Sequence, residues 1–417
     1  MHYVEQPEIE EPEVSASENS SLARRLAEKL LVALGNPAIC LVLWTGEQVA
    51  GAVDPPLVTL RIADRGTLLR LLLDPELQFG ETFMAGRIEC VAGDLARGLE
   101  AVFRNAPSWG GMARQLINLG GIRSWLRRNS LPGSRRNIHA HYDIGNDFYR
   151  LWLDPTMSYT CAYFASESLS LHAAQLAKMD HVCRKLRLRP GEQVIEAGCG
   201  WGSLALHMAE RYGVKVKAFN ISTEQIEYAR ERAARTGWSD RVEYIHDDYR
   251  HISGTADAFV SVGMLEHVGL EHYAGLGELV SKLLRSGGRG LIHSIGRDAP
   301  RAMNPWIERH IFPGARIPSL SQMMEIFEPN RLSVLDVENL RLHYARTLAC
   351  WRNAFELAKG TVASMFDERF IRMWRLYLVS SQAAFLAGDM QLFQVLFVPS
   401  RSTQLALTRE HLYREPT

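Results

Sequence analysis

The sequence predicts an α/β chain: a doubly wound parallel sheet preceded by a smaller α+β domain. Three observations carry this. The run Val194-Ile195-Glu196-Ala197-Gly198-Cys199-Gly200-Trp201-Gly202 leads from apolar residues into three alternating glycines, and an amphipathic stretch, Ser203 to Arg211, follows. That is strand, tight turn and helix, with glycine permitting positive φ and close approach of a ligand to the backbone. Strand-like and helix-like runs then alternate as far as Ile295, the rhythm of a parallel sheet with ligands at the carboxyl ends of its strands. Ahead of them, a region rich in arginine and glycine separates this part from an N-terminal part of different pattern.

In chain order, residues 1–20 hold six glutamates and no lysine or arginine, and are expected to be disordered. From Ser21, Leu22, Leu26, Leu30 and Leu34 recur at helical spacing, with Gly35-Asn36-Pro37 as the stop. Strands are expected at Ala38–Trp44 and Leu57–Ile62, and a helix over Gly66–Leu73 ending at Asp74-Pro75. Phe79 to Gly86 reads as a strand pair, and a helix starts at Asp94. Residues 21–105 thus form a small α+β domain.

Residues 106–138 read as a basic linker. Between Ala101 and Tyr142 there is no acidic residue, but there are arginines at 104, 114, 123, 127, 128, 135 and 136, interleaved with Trp109, Trp125 and aliphatics. Such a run is either a solvated face or a segment lying on an anionic membrane surface. Pro132-Gly133-Ser134 marks the boundary to the domain 139–417.

In that domain a helix is expected near 168–187, then the glycine turn and a second strand at Val214–Phe219. Ser222-Thr223-Glu224-Gln225 has the form of a capping box. Strands follow at Val242–His246, Ala258–Val262 and Gly290–Ile295, the last preceded by a helix over His272–Leu284 that ends at Ser286-Gly287-Gly288. Two long helices, about 344–358 and 366–386, lead to a late strand, Gln391–Val398.

Composition narrows the function classes. The chain has 417 residues, with 47 basic and 47 acidic side chains, so no global charge points to nucleic acid. The six cysteines are scattered, which fits a reducing cytoplasm. The N-terminus lacks the pattern of a signal peptide. The longest apolar run, Ala38–Trp44, falls far short of the roughly 20 residues that span a bilayer, so a soluble or peripheral protein is expected. His139 and His141 have no third ligand at metal spacing, and no metal is expected.

The strand ends carry the chemistry: the glycine turn, Asn220, Asp247-Asp248-Tyr249, Gly263 to His267, and His293-Ser294-Ile295. Gly-x-Gly-x-Gly resembles the first motif of S-adenosylmethionine-dependent methyltransferases, and the sheet is expected to be of that Rossmann-like type. Taken with Tyr142 to Tyr149, Tyr159 to Phe164, Ser261 to Gly269, Pro305 to Glu308 and Ile311 to Gly314, the chain resembles the cyclopropane-fatty-acyl-phospholipid synthase family from about residue 70 to 398. Leu77–Asp94 also resembles that family's N-terminal lipid-binding domain.

The resemblance implies transfer of a methylene from S-adenosylmethionine to a cis alkene in a phospholipid acyl chain, with bound bicarbonate as base. It implies Cys161, Glu266, His293, Ile295 (through backbone) and Tyr344 around the bicarbonate. It implies Tyr159, Thr160, Gly198, Gly200, Asn220, Gln225, Asp248 and Tyr249 around the donor. Its partners would be unsaturated phospholipid and the anionic inner face of the membrane, with a homodimer left open and no nucleic acid. The chain departs from the family at Glu196, usually aspartate, at Asn220, usually a hydroxyl residue, and at His251, often an acid. A fatty-acyl methyltransferase leaving a methyl or methylidene branch shares these motifs, and a non-catalytic lipid-binding module would share the fold. Glu266, Tyr344 and the glycine turn are all retained, which favours an enzyme.

Overall fold

The computed structural model describes residues 16–105, 144–403 and 405–413, with side chains from residue 22 onward. It divides into two compact units, Met1–Pro107 and Ser108–Thr417.

The first unit is a four-stranded sheet with helices. Its strands are β1 (Ile39–Val42), β2 (Gln48–Ala50), β3 (Val58–Ile62) and β4 (Ile88–Gly93), in the order β2-β1-β3-β4. β1 runs parallel to β3, and the other pairings are antiparallel. The first helix spans Ala16–Ala33, so it reaches back into the leader expected to be disordered. A helix nucleated by the apolar run can add turns at little cost once its first turn is formed. Its buried stripe is Ala23, Ala27, Leu30 and Leu31, while Leu22 is exposed. The buried face is thus rotated from the leucine row toward the alanines.

The strand pair expected over Phe79–Gly86 is instead a helix, Pro75–Met84. Pro75 sits at its first turn and the Asp74 carboxylate accepts the N–H of Leu77, both strong helix-start signals. Phe79 and Phe83, four residues apart, stack with centroids at 6.2 Å. Aromatic spacing of four belongs to a helix face and not to a strand.

The second unit holds a seven-stranded sheet: β5 (Gln193–Ala197), β6 (Lys215–Asn220), β7 (Val242–His246), β8 (Ala256–Val262), β9 (Leu284–Arg297), β10 (Leu332–Asn339) and β11 (Met390–Pro399). Their order is β10-β11-β9-β8-β5-β6-β7. Strands β5 to β9 are parallel, and β11 runs antiparallel to both β9 and β10. The order reverses at β5, so the crevice lies at the carboxyl ends of β5 and β8. Alternate residues serve opposite faces. Val194, Val216, Val260 and Leu291 pack with the helices Leu171–Lys185, Ser203–Tyr212 and Thr223–Thr236. Ile195, Phe259, Ile292 and Val395 pack with Tyr273–Leu283 and the turns near Phe327.

Two boundaries differ from expectation. β9 begins at Leu284, directly after its helix, and Ser286-Gly287-Gly288 lies inside it. The register slips there, from Ala256 opposite Leu284 to Ala258 opposite Arg289, with Gly287 at φ +78°. The glycines make a bulge, not a helix-ending loop. The long helices are Arg341–Leu357 and Glu368–Ala387, with a short helix, Lys359–Met365, between them. β10, a half-exposed edge strand, is not among the expected strands, although Val334 to Asn339 alternate in burial as such a strand does.

No helix among the described residues is long and apolar enough to cross a membrane. Residues 106–143 lie outside the described residues, and with them the whole of the basic linker 106–138, His139, His141, Tyr142 and Asp143.

Candidate active site

The glycine turn is latched to the neighbouring strand. The N–H groups of Gly198 and Cys199 both donate to the Phe219 carbonyl, at 2.9 and 3.1 Å. Gly198, Gly200 and Gly202 all have positive φ (+82°, +53° and +80°), yet they do different work. A Cβ on Gly198 would meet Met264 at 2.8 Å, and one on Gly202 would meet the Tyr244 hydroxyl at 2.5 Å. At Gly200 a Cβ would meet nothing within 4 Å. The turn is therefore closed at both ends and open in the middle, where a ligand can lie against bare backbone. Gly202 also caps the helix Ser203–Tyr212 without any side chain, which leaves the first-turn N–H groups suited to a carboxylate.

Trp201 donates its indole N–H to Asn146 at 2.6 Å, tying the turn to the short helix Asn146–Arg150. Phe148 and Tyr149 of that helix are fully buried. Tyr149 packs on Trp201 and Tyr159, with centroids at 5.0 and 5.5 Å, and Tyr159 packs on Trp152 and Trp351. The Tyr159 and Tyr377 hydroxyls meet at 2.7 Å. Tyr377 then touches Phe312, and Phe312 touches His267. Aromatic faces thus run from the glycine turn to the turn that carries Glu266. Burial pushes His267 down to about 4, so it is neutral at neutral pH.

Thr160 and Cys161 are held from the helix Leu171–Lys185. Gln175 donates to the Thr160 carbonyl at 2.8 Å, and the Lys178 ammonium reaches the Thr160 hydroxyl at 3.0 Å. Lys178 is buried, which lowers its pKa, and nearby Asp154, Cys161 and Glu196 resist that shift. Glu196 is pushed up to about 8 by burial, opposed by Lys178. The longer acid at this position is thus buried, with Lys178 acting on it through electrostatics and its Oε2 making no hydrogen bond among the described residues. The Cys161 thiol is buried, which raises its pKa and keeps it protonated. Its sulfur lies 3.9 Å from the Leu340 carbonyl, at the start of the helix bearing Tyr344.

Beyond Val262 opposite His293 the β8–β9 ladder ends. Gly263 still donates to the His293 carbonyl at 2.9 Å, but β9 continues without β8 beside it. Glu266, on the turn after β8, takes over, accepting the Ile295 N–H at 2.6 Å. Its other oxygen, Oε2, is buried with no hydrogen-bond partner among the described residues, as is Nε2 of His293. Burial raises Glu266 to about 7, against the backbone N–H groups of Glu266 and Ile295 and the Ser294 hydroxyl, which lower it. Burial, with Lys178 and Lys185, holds His293 well below the usual imidazole range. Two orphaned polar atoms facing no protein partner fit a small polar guest such as bicarbonate. Tyr344 is buried on the helix Arg341–Leu357 and packs on Trp351 and Phe385.

Other expected donor residues serve the framework. Asn220 donates to Gln225 Oε1 at 2.7 Å and to the Gly200 carbonyl at 3.4 Å. Gln225 is thereby diverted, so the expected capping box is half made. Ser222 accepts the Gln225 N–H, but the return bond is absent. A complete box occurs instead at Ser319–Gln322. Asp248 is gripped by Arg250 through both oxygens, at 2.8 and 2.9 Å. Arg250 outweighs burial and lowers the Asp248 pKa. Tyr249, raised to about 12 by burial, lies under the same guanidinium. His251 bonds Asp247 at 2.8 Å.

Sequence reasoning missed Tyr377, Lys178 and Gln394. Gln394 had a signal: it is the single polar residue between Leu392 and Val398.

A reversed-order sheet, an open glycine turn and orphaned polar atoms at adjacent strand ends define the class of S-adenosylmethionine-dependent methyltransferases. The family model described as mycolic acid cyclopropane synthetase matches residues 130–395. The chain is 35% identical over 401 residues to a "Probable fatty acid methyltransferase" of Pseudomonas putida, covering 90% of this chain and 96% of that one. It is 35% identical over 349 residues to the cyclopropane-fatty-acyl-phospholipid synthase of Escherichia coli (strain K12), covering 81% and 87%. A crystal structure of a mycolic acid cyclopropane synthase complexed with SAH and CTAB superposes with a TM-score of 0.60 at 31% identity, covering 63% of this chain and 97% of that one. The chain belongs to the mycolic acid cyclopropane synthetase family, and is an enzyme of the S-adenosylmethionine-dependent, lipid-modifying kind.

Proposed function

We propose that the protein transfers a methylene group from S-adenosylmethionine to the cis double bond of unsaturated phospholipid acyl chains, closing a cyclopropane ring. One observation carries this reading: the buried, half-satisfied Glu266 carboxylate and the unpartnered His293 Nε2, beside the strand ends where the donor turn opens.

Gly198 and Gly200 hold the amino-acid end of the donor against bare backbone, with Asn220 and Gln225 fixing the turn's shape. Asp248 and Tyr249 border the same crevice. Tyr159 and Thr160 lie between donor and acyl chain. The alkene attacks the sulfonium methyl, which requires contact in line and exclusion of water. The resulting carbocation is stabilised by aromatic faces such as Tyr159, Tyr377 and Phe312. Glu266, His293, Tyr344 and Cys161 would hold bicarbonate, with the Ile295 backbone acting through its hydrogen bond to Glu266, and bicarbonate would supply the base for the proton lost from the delivered methyl. The lipid is reached from a membrane surface, the first unit and the basic linker taking part, on the cytoplasmic face.

Unsaturated phospholipid vesicles incubated with the protein and S-adenosylmethionine should yield acyl chains with shielded ring protons by NMR and no new olefinic signal. A methylidene signal, or a methyl branch that needs added reductant, would replace this reading with fatty-acyl methyl transfer. The similarity to the Pseudomonas putida protein, equal in identity to that of the synthase, keeps that second reading in view.

A further inference from the structure

Gln394 lies opposite His293 in the β9–β11 register, and paired residues across a sheet share a face. Both side chains are buried, at 0% and 1% exposure. The Gln394 amide nitrogen lies 3.1 Å from Nδ1 of His293. A glutamine inside an otherwise apolar strand costs desolvation unless its bonds matter, and this one directs its amide to a ring at the proposed anion site.

We infer that Gln394 is a positioning residue that sets the tautomer of His293. The inference rests on the reading that Glu266 and His293 face a bound anion. A neutral imidazole has one N–H and one lone pair. Burial beside Lys178 and Lys185 keeps the ring neutral, so its single proton must occupy one nitrogen. An amide N–H donating to Nδ1 claims the lone pair there and places the proton on Nε2. Nε2 then presents a donor to an anion, beside a carboxylate that supplies acceptors. With Nδ1 protonated instead, Nε2 would turn a lone pair toward the anion and repel it. In the structure the amide nitrogen, not Oε1, faces Nδ1, and Oε1 is buried with no partner among the described residues. Tautomer control through the nitrogen remote from the working one is a general property of histidine sites.

The test uses the full-length protein with 15N-labelled histidine, His293 being assigned by difference with His293→Asn. Long-range proton–nitrogen spectra should show Nε2 protonated and Nδ1 unprotonated in the wild type. In Gln394→Glu the carboxylate accepts from Nδ1, so the pattern should invert. The bicarbonate concentration for half-maximal activity should rise at least about tenfold with the KM for S-adenosylmethionine unchanged, a loss equivalent to about 1.4 kcal/mol. Gln394→Met, similar in volume, should give mixed tautomers and a smaller rise, which covers the case in which the glutamate variant fails to fold. A wild-type ring protonated on Nδ1, or an unchanged tautomer in Gln394→Met, would overturn the inference. If the spectra follow expectation but wild-type activity ignores bicarbonate, the anion reading fails while tautomer control by Gln394 stands.

Discussion

Glu266 Oε1 accepts the N–H of Ile295 at 2.6 Å, at the point where β9 runs on past the end of β8. A strand end that would otherwise leave a backbone donor unpaired instead fixes one oxygen of a carboxylate and leaves the other free to work.

This geometry has a pH signature. Glu266 is raised from 4.5 to about 7 by burial, so the folded state holds a proton that the unfolded state releases. Its contribution is fully present below pH 4.5 and is lost as pH rises through 7, a fall of up to about 3 kcal/mol. Glu266→Gln should lack this component, giving a flatter stability profile between pH 5 and pH 8 in urea titrations. Glu196, also raised by burial, remains in both proteins and cancels in the comparison. The same variant should lose about 10²–10³-fold in kcat, with donor affinity by calorimetry within twofold. A parallel loss of donor affinity would assign Glu266 to donor binding.

The glycine turn predicts a contrast between two substitutions. Gly202→Ala places a Cβ against Tyr244 at 2.5 Å and should lower stability by roughly 1–3 kcal/mol. Gly200→Val enters open space, so the strain of its positive φ (+53°) is the main folding cost. Its larger effect should be on the donor: calorimetric binding should be abolished in protein that is still folded by circular dichroism. Unchanged affinity would remove the turn from the donor site.

Tyr377→Phe deletes one side of the hydroxyl pair with Tyr159. The lost bond should cost about 1 kcal/mol of stability. Turnover should fall more than lipid binding does, because Tyr159 is freed to tilt within its aromatic setting. Equal kcat in variant and wild type would make the pair purely structural.

Replacing Arg123, Arg127, Arg128, Arg135 and Arg136 with glutamine tests the membrane reading of the linker. Each arginine near an anionic surface contributes on the order of 1 kcal/mol, so sedimentation with anionic vesicles should weaken, most clearly at low salt. Equal wild-type binding to neutral and anionic vesicles would reduce the run to a solvated face.

The sequence by itself determined the sheet of the second unit. Central parallel strands are mostly apolar runs that end at glycine, and Val194–Ala197 and Ala258–Val262 carry that mark whatever surrounds them. The helix Pro75–Met84 was itself locally encoded, by Asp74 and Pro75 at its start and phenylalanines four residues apart. Gln225 left its capping box for a partner just upstream: Asn220, the last residue of β6, takes its oxygen. The sequence also marked Glu266, His293 and the glycines, because strand ends before polar clusters are where such a sheet places ligands. Only the tertiary structure decided how those groups are satisfied. The environment of Glu266 depends on β8 stopping short of β9, and that of His293 on Gln394, which lies about a hundred residues away and meets it only through the antiparallel register of β11. Periodicity reports how a segment meets a face. Which distant polar group shares that face is fixed by strand pairing, and no local pattern encodes it.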